Sequence, residues 1–193
     1  MQQTQAGRRG VTIGISKPDM SLRDAFLVML DDYDAYDQED AEFYAGARAD
    51  FCAYVQSLLD EEHGLNLPEG YVPCSHRWLV DEAGQIVGIA RVRHNIETPF
   101  LAEEAGHIGY DVPPAHRGCR YGIASLRAAL TEARHLGLER VLLCCDADNP
   151  ASWRTIEACG GVLEREFHSE HFECLVRRYW IELQGVEADG ALA

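Results

Sequence analysis

The chain has 193 residues, 47% of them hydrophobic and 25% charged, which predicts one globular domain with a substantial apolar core. Its formal net charge of -15 disfavours general binding to nucleic acid or to anionic membranes, since both would repel it. No apolar run approaches the roughly 18 residues of a membrane span, and the opening MQQTQAGRRG lacks the apolar centre of a secretion signal, so we expect a cytoplasmic protein.

Metal and disulfide chemistry receive little support from the sequence. The seven cysteines are odd in number and include no CxxC pair, which favours reduced thiols over a disulfide framework or a zinc site. An acidic cluster early in the chain also lacks an ordered ligand spacing, which favours a solvated loop over a metal site. The cluster consists of Asp31, Asp32, Asp34, Asp37, Glu39 and Asp40. We therefore expect no bound metal.

The first half of the chain is predicted to combine three strands with two helices. Period-two alternation predicts strands at 11–15, 76–80 and 85–93, and apolar residues at helical spacing predict helices at 22–33 and 43–58. The polar stretch 94–105 is predicted to form a surface loop. Residues 1–9 are expected to be a flexible N-terminus.

The second half is predicted to alternate strands and helices. Strands are predicted at 106–112, 141–145, 163–167 and 172–183, and helices at 123–136 and 150–159. Asn149 and Pro150 suit the N-cap and first position of the second helix. Residues 10–183 would then form a single mixed α/β domain, and 184–193 a flexible tail.

The turn between strand 106–112 and the following helix is rich in glycine and arginine. It reads HRGCRYG over residues 116–122, and no Asp or Glu occurs between Asp111 and Glu132. A helix that begins at such a turn directs unpaired amides and its positive dipole end to one point. The pattern predicts an anion site, with a solvated helix start as the alternative.

Two segments together resemble the acyl-CoA-binding core of the GNAT superfamily of N-acetyltransferases. They are HIGYDVPPAHRGCRYGIASL and, after a buried strand, DNPASWRTIEACGG. The order of elements over residues 10–183 is similar as well. The resemblance implies a single-domain fold with a central, mostly antiparallel sheet that is splayed between its fourth and fifth strands and flanked by helices.

The resemblance also implies acetyl-CoA as co-substrate. The family's pyrophosphate loop reads Q/R-x-x-G-x-G/A; Arg117 takes its first position and Gly122 its last, while Arg120 replaces the middle glycine. The backbone of the strand before the loop would pair with the pantetheine, and Asn149 would lie near it or serve only as an N-cap. The implied cofactor-binding residues are Tyr110, Val112, Arg117, Gly118, Cys119, Arg120, Tyr121, Gly122, Ile123, Asn149 and Ser152.

Catalytic residues are harder to assign. Many relatives place a tyrosine general acid seven residues after the asparagine, where this chain has Ile156. The candidate bases are His107 and Asp111, which share one face of the central strand, and His94; the candidate acids are Tyr110, Ser152 and Tyr179. A histidine on a strand is more often structural, and an acylated Cys145 is disfavoured because buried thiols are usually inert.

The resemblance implies an N-acetyltransferase that acts on a primary amine, and the amine itself stays open. Excess acidic residues would attract a cationic small molecule, with Glu97, Glu103 and Glu104 expected at the acceptor rim. A free amino acid or an amino sugar fits equally well. A catalytically silent acyl-CoA-binding or sensing protein is the alternative, suggested by Ile156 and Arg120. The aromatic last strand would face either the core or a partner, so a homodimer is possible.

Overall fold

The structure, a computed structural model, describes residues 12–183. The expectations for 1–9 and 184–193, and the start of the first predicted strand, lie outside the described residues. The strands are β1 (Gly14–Ser16), β2 (Cys74–Val80), β3 (Ile86–Arg93), β4 (Ile108–Asp111), β5 (Arg140–Asp146), β6 (Val162–His168) and β7 (Leu175–Glu182). The helices are α1 (Arg23–Tyr36), α2 (Gln38–Ala41), α3 (Gly46–Ala49), α4 (Phe51–Glu62), α5 (Tyr121–His135) and α6 (Pro150–Ala158).

The strands form two antiparallel sheets that meet at a single point. One sheet has the order β1-β2-β3-β4 and the other β5-β7-β6. An isolated bridge joins Gly106 to Leu143, and the amide of His107 donates to the carbonyl of Leu142 at 2.8 Å. The sheet is therefore split between its fourth and fifth strands, which confirms the predicted fold class.

Two apolar cores hold the helices against the sheets. One packs α5 and α6 on β3, β4, β5 and β7, with Leu126 and Tyr179 fully buried. The other is aromatic and packs α1, α3 and α4 on β2 and β3; the rings of Phe26 and Trp78 lie 4.8 Å apart there. The aromatic core fixes α1 against β3. Of the helices in residues 12–183, none combines the length and apolar character that crossing a membrane would require.

Three local predictions were wrong. The predicted helix 43–58 is divided, because Asp50 adopts an extended backbone and its carboxylate accepts from the amide of Ala53 at 3.0 Å, which caps α4. The predicted surface loop 94–105 contains a π-helical turn, Leu101–Ala105. The acidic cluster is not a loop, since it occupies the second half of α1, the α1–α2 junction and α2.

We predict that Gly106→Ala destabilises the protein because the two sheets meet at this residue. Its φ is +73°, and an added Cβ would lie 2.3 Å from the Leu142 carbonyl oxygen. Crowding plus the left-handed backbone should cost about 3–4 kcal/mol of unfolding free energy, measured by urea denaturation. Gly137→Ala is the matched control, since φ there is +78° with nothing within 4 Å, and should cost about 1 kcal/mol. Equal losses in the two variants would contradict the close approach.

Candidate active site

A cavity of about 700 Å³ lies where the start of α5, the end of β4, the first turn of α6 and the α1–α2 junction meet. Its wall consists of Asp37, Asp40, Tyr110, Asp111, Val112, His116, Arg117, Gly118, Arg120, Tyr121, Gly122, Ile123, Asn149, Ala151, Ser152, Arg154 and Thr155. The wall includes every residue predicted to bind the cofactor except Cys119, which is exposed. The fold therefore brings the two motif segments together around one space.

The turn before α5 presents several backbone amides without a partner. The amides from Gly118 to Gly122 donate to no acceptor within residues 12–183, whereas the amide of Ile123 already donates to the Arg120 carbonyl at 3.1 Å. First-turn amides have no intrahelical acceptor and carry the positive end of the helix dipole. The arrangement can hold an anion such as a phosphate.

Arg120 occupies a backbone conformation that normally favours glycine. Its φ is +67° and ψ is +13°, directly before the first residue of α5. A non-glycine residue in this region costs about 1 kcal/mol. The substituted loop keeps the left-handed geometry, and Arg120 lines the cavity together with the residues that carry the unpaired amides. Arg117 and Arg154 line the same wall.

Arg117 links the loop to the acidic cluster. Its guanidinium lies 2.5 Å from Asp37 and 3.7 Å from Asp40, and its Nε donates to the Val112 carbonyl at 3.1 Å. The side chain therefore bridges the amide-rich and the acidic parts of the wall. A phosphate bound at the loop would compete with these two carboxylates for Arg117.

Asp40 has the most perturbed carboxylate in the cavity wall. Burial raises its pKa from 3.8 to about 6, and the nearby negative charges of Asp111 and Asp37 add to the shift. Sequence reasoning missed Asp37 and Asp40 as site residues, because the cluster had no spacing that indicated a ligand set. Only the aromatic packing of α1 against β3 brings them to the end of β4.

Asp111 is held in a charged network. Its carboxylate accepts from the hydroxyl of Tyr44 and pairs with Arg91 at 2.5 Å, while Arg91 also donates to the Tyr44 oxygen at 3.0 Å. Asp111 lines the cavity, so it shares this space with Asp40. Both partners contact Oδ2, and Oδ1 accepts from no side chain within residues 12–183.

The two histidine candidates lie outside the cavity wall. His107 is buried, and its Nδ1 accepts from the Leu142 amide at 3.0 Å; burial, followed by the charges of Arg93 and Arg140, lowers its pKa to about 4. His94 contacts the Ser75 hydroxyl at 2.9 Å through Nε2. His107 is thus a neutral side chain that joins the two sheets.

A pair of hydroxyl groups faces the cavity. The hydroxyl of Tyr110 lies 3.1 Å from Ser152 Oγ and donates to the Ser152 carbonyl at 3.2 Å. Asn149 accepts from the Ser152 amide at 3.0 Å, so it caps α6 as predicted. Burial raises the pKa of Tyr110 to about 12, which keeps a proton on this pair at neutral pH.

The remaining candidate acid and nucleophile are placed differently. Tyr179 is buried and its hydroxyl donates to Glu157 at 3.1 Å, away from the cavity wall. Burial raises the pKa of Cys145 to about 11, so this side chain is a thiol at neutral pH. Ile156, at the position of the family tyrosine, is part of the apolar core.

The expected acceptor rim is engaged in other contacts. The Glu103 carboxylate pairs with Arg165 and lies 3.7 Å from Arg178, and Glu104 accepts from the Ser169 hydroxyl. Neither belongs to the cavity wall, and Glu97 is exposed on the preceding segment. The carboxylates that do line the cavity come instead from α2, its N-cap and β4.

Comparison with known proteins gives one family match and several similar folds. A sequence profile described as the acetyltransferase (GNAT) family matches residues 29–160. The ribosomal L7/L12 alpha-N-protein acetyltransferase RimL, solved with coenzyme A, superposes with a TM-score of 0.67 at 19% identity, over 89% of this chain and 94% of that one. No curated protein sequence matches the chain.

Two further structures show the same fold. The Salmonella typhimurium acetyltransferase that modifies the N-terminal serine of L7/L12 has a TM-score of 0.61 at 18% identity, over 89% of this chain and 95% of that one. A chimera of spermidine N-acetyltransferase SpeG from Vibrio cholerae and hSSAT has a TM-score of 0.60 at 16% identity, with the same coverage of 89% and 95%. Identities this low establish a shared fold alone.

We predict that the charge on Asp40 destabilises the folded protein. Because its folded pKa is about 6 and its ordinary value is 3.8, the folded state binds this proton more tightly, and stability falls as pH rises from about 4 to 6. Asp40→Asn lacks this titrating group and does not lose stability in this way. The unfolding free energy of the variant minus that of wild type should therefore grow by roughly 1 kcal/mol from pH 4 to 6, once solvent screening is allowed for. Urea denaturation at stepped pH measures the difference.

The neighbouring Gln38→Ala variant supplies the baseline, because it alters the same short helix without removing a titrating group. A difference between Asp40→Asn and wild type that stays constant from pH 4 to 6 would contradict the raised pKa.

Proposed function

Because the chain belongs to the acetyltransferase (GNAT) family, we propose that it moves an acetyl group from acetyl-CoA to a primary amine. One observation carries the proposal: unpaired amides and Arg120 line one end of a cavity whose other end is acidic. Acyl transfer needs a site for the anionic cofactor and a separate site for the amine. The two ends of this cavity have charges that suit these two ligands.

The cofactor would bind at the basic end. The amides of residues 118–122 and the Arg120 guanidinium would hold the pyrophosphate, and the backbone of Tyr110 and Val112 would pair with the pantetheine. The edge of β4 that faces β5 has no strand partner within residues 12–183 beyond the Gly106–Leu143 bridge. That free edge is available for an extended ligand.

The amine would bind at the acidic end. An ammonium group fits beside Asp37, Asp40 and Asp111, and the same carboxylates would repel a phosphate. Attack requires a neutral nitrogen, so one carboxylate must take its proton. Asp40 suits this step, because a base with a pKa near 6 is ionised at neutral pH and still accepts a proton. Asp111 is a second choice, since Arg91 and Tyr44 both engage its Oδ2 and only Oδ1 remains to accept a proton.

The transfer itself then follows from the wall residues. The neutral nitrogen attacks the thioester carbonyl, and the amide of Val112 would stabilise the oxyanion. The carbon–sulfur bond breaks, the Ser152 hydroxyl gives its proton to the thiolate, and the proton that the nitrogen loses as the amide forms restores the Ser152–Tyr110 hydroxyl pair, whose oxygens lie 3.1 Å apart. His107 would contribute only by positioning the two sheets, because its Nδ1 is already an acceptor.

The structurally similar enzymes support an amine acceptor without identifying it. Two act on the N-terminus of ribosomal protein L7/L12 and one on spermidine. The acidic end of the cavity favours a cationic small molecule within this range. Arg117 and Arg91 already neutralise part of the charge at this end. A free amino acid or an amino sugar would still gain less from it than a polyamine, since each carries fewer positive charges.

We predict amine-dependent release of CoA from acetyl-CoA, and a loss of turnover of roughly tenfold in Ser152→Ala. The loss is modest for general-acid catalysis, because a thiolate is a good leaving group. CoA should be quantified by chromatography, since exposed Cys52 and Cys119 would consume a thiol reagent. Ser57→Ala, at an exposed serine of α4, is the matched control and should retain full turnover.

The alternative is a catalytically silent acyl-CoA-binding protein, which Ile156 at the family's tyrosine position favours. Tight binding of acetyl-CoA without release by any amine of a broad library, including polyamines and amino-terminal peptides, would support it. That result would contradict the transferase proposal and leave the cofactor site intact.

A further inference from the structure

Three side chains of metal-ligand type converge where the C-terminal end of α4 packs on the start of β2. Cys74 and His76 are two residues apart on β2, so they share one face of the sheet, and Glu61 projects from the last turn of α4. One ligand atom of each lies within 4.8 Å of the others, and His76 Nε2 lies 2.7 Å from Glu61 Oε2. Cys74 and His76 are buried.

We propose that Glu61, Cys74 and His76 bind a divalent transition-metal ion of the zinc type. The cluster is the sole group of three or more such residues at this spacing in the part of the chain that the structure describes. A thiolate, an imidazole and a carboxylate are ligand types that zinc takes, and with three protein ligands a water would complete the tetrahedron. A sulfur ligand disfavours magnesium and calcium, which prefer oxygen.

Charge balance suits an ion in this buried place. A thiolate and a carboxylate carry two negative charges, which a divalent ion neutralises, so the ion and its three ligands together carry no net charge. Because the thiolate is the form of cysteine that binds a metal, binding would release the Cys74 proton to solvent.

Two cations on the neighbouring strand face the cluster and are already committed to other partners. Arg93 and Arg91 are the cross-strand partners of Cys74 and His76. Arg91 pairs with Asp111 at 2.5 Å, and Arg93 donates to the Gly106 carbonyl at 3.1 Å. Neither arginine pairs with Glu61. In the metal-free protein the Glu61 carboxylate contacts His76 instead, which keeps two of the three proposed ligands together.

The proposed site is separate from the acetyl-transfer cavity. None of its three residues lines that cavity, and β3 lies between β2 and β4. A bound ion would fasten the C-terminal end of α4 to the start of β2. The ion would therefore act on stability, and loss of the site would leave the transferase proposal untouched.

Cobalt(II) provides a direct test, because a thiolate ligand gives an intense ligand-to-metal charge-transfer band in the near ultraviolet. The full chain, prepared without a histidine tag and stripped with a chelator, is titrated with CoCl₂. We expect one equivalent to bind with this band and with visible bands of tetrahedral intensity, and ZnCl₂ to displace it. At about 100-fold excess over Kd, zinc should raise Tm by roughly 5–10 °C.

Cys74→Ser should lose the charge-transfer band, and Glu61→Gln should weaken cobalt binding by at least tenfold. Cys52→Ser is the matched control, since Cys52 is an exposed cysteine of α4, and should keep the band. Circular dichroism verifies that each variant is folded. Wild-type protein that binds no cobalt, or binds it without the charge-transfer band, would overturn the proposal whatever the variants do.

Discussion

The site depends on the point at which the two sheets meet and then separate. Leu142 and His107 exchange two hydrogen bonds there, at 2.8 Å between the His107 amide and the Leu142 carbonyl and at 3.0 Å between the Leu142 amide and His107 Nδ1. Gly106 allows this approach because a Cβ would contact the Leu142 carbonyl. Beyond it, β4 and β5 pair only with their own sheets, so a free strand edge runs toward the loop before α5. The burial and low pKa of His107 follow from this joining role.

Charge is distributed so that a strongly acidic protein contains one region suited to an anion. The amides of residues 118–122 supply partial positive charge that no change in side chains removes. Arg120 adds a full charge despite its left-handed backbone. Arg117 pairs with Asp37 and Asp40, so the basic and acidic ends of the cavity are linked through one side chain. A ligand at either end would alter the electrostatic environment of the other.

Much of this arrangement could be predicted from local sequence. Period-two alternation up to Pro113, the glycine-rich turn and the Asn149–Pro150 helix start each fix local backbone geometry, and these segments form the part of the cavity wall that local sequence predicts. The interruption at Asp50 was missed, because its carboxylate competes for helix amides while the apolar spacing continues across it. Asp40 and the Glu61–Cys74–His76 cluster were missed for a different reason. Their neighbours are distant in sequence, and only the packing of α1 and α4 on the sheet brings them together.

The central claim is that the loop before α5 binds the diphosphate of coenzyme A. Isothermal titration calorimetry of CoA on the folded wild-type protein tests it most directly, with Arg120→Gly as the variant and the exposed Arg134→Ala, at the other end of α5, as its control. We expect uptake of one CoA by wild type, about tenfold weaker binding in Arg120→Gly, and no change in Arg134→Ala. No detectable binding of CoA by the folded wild-type protein would contradict it.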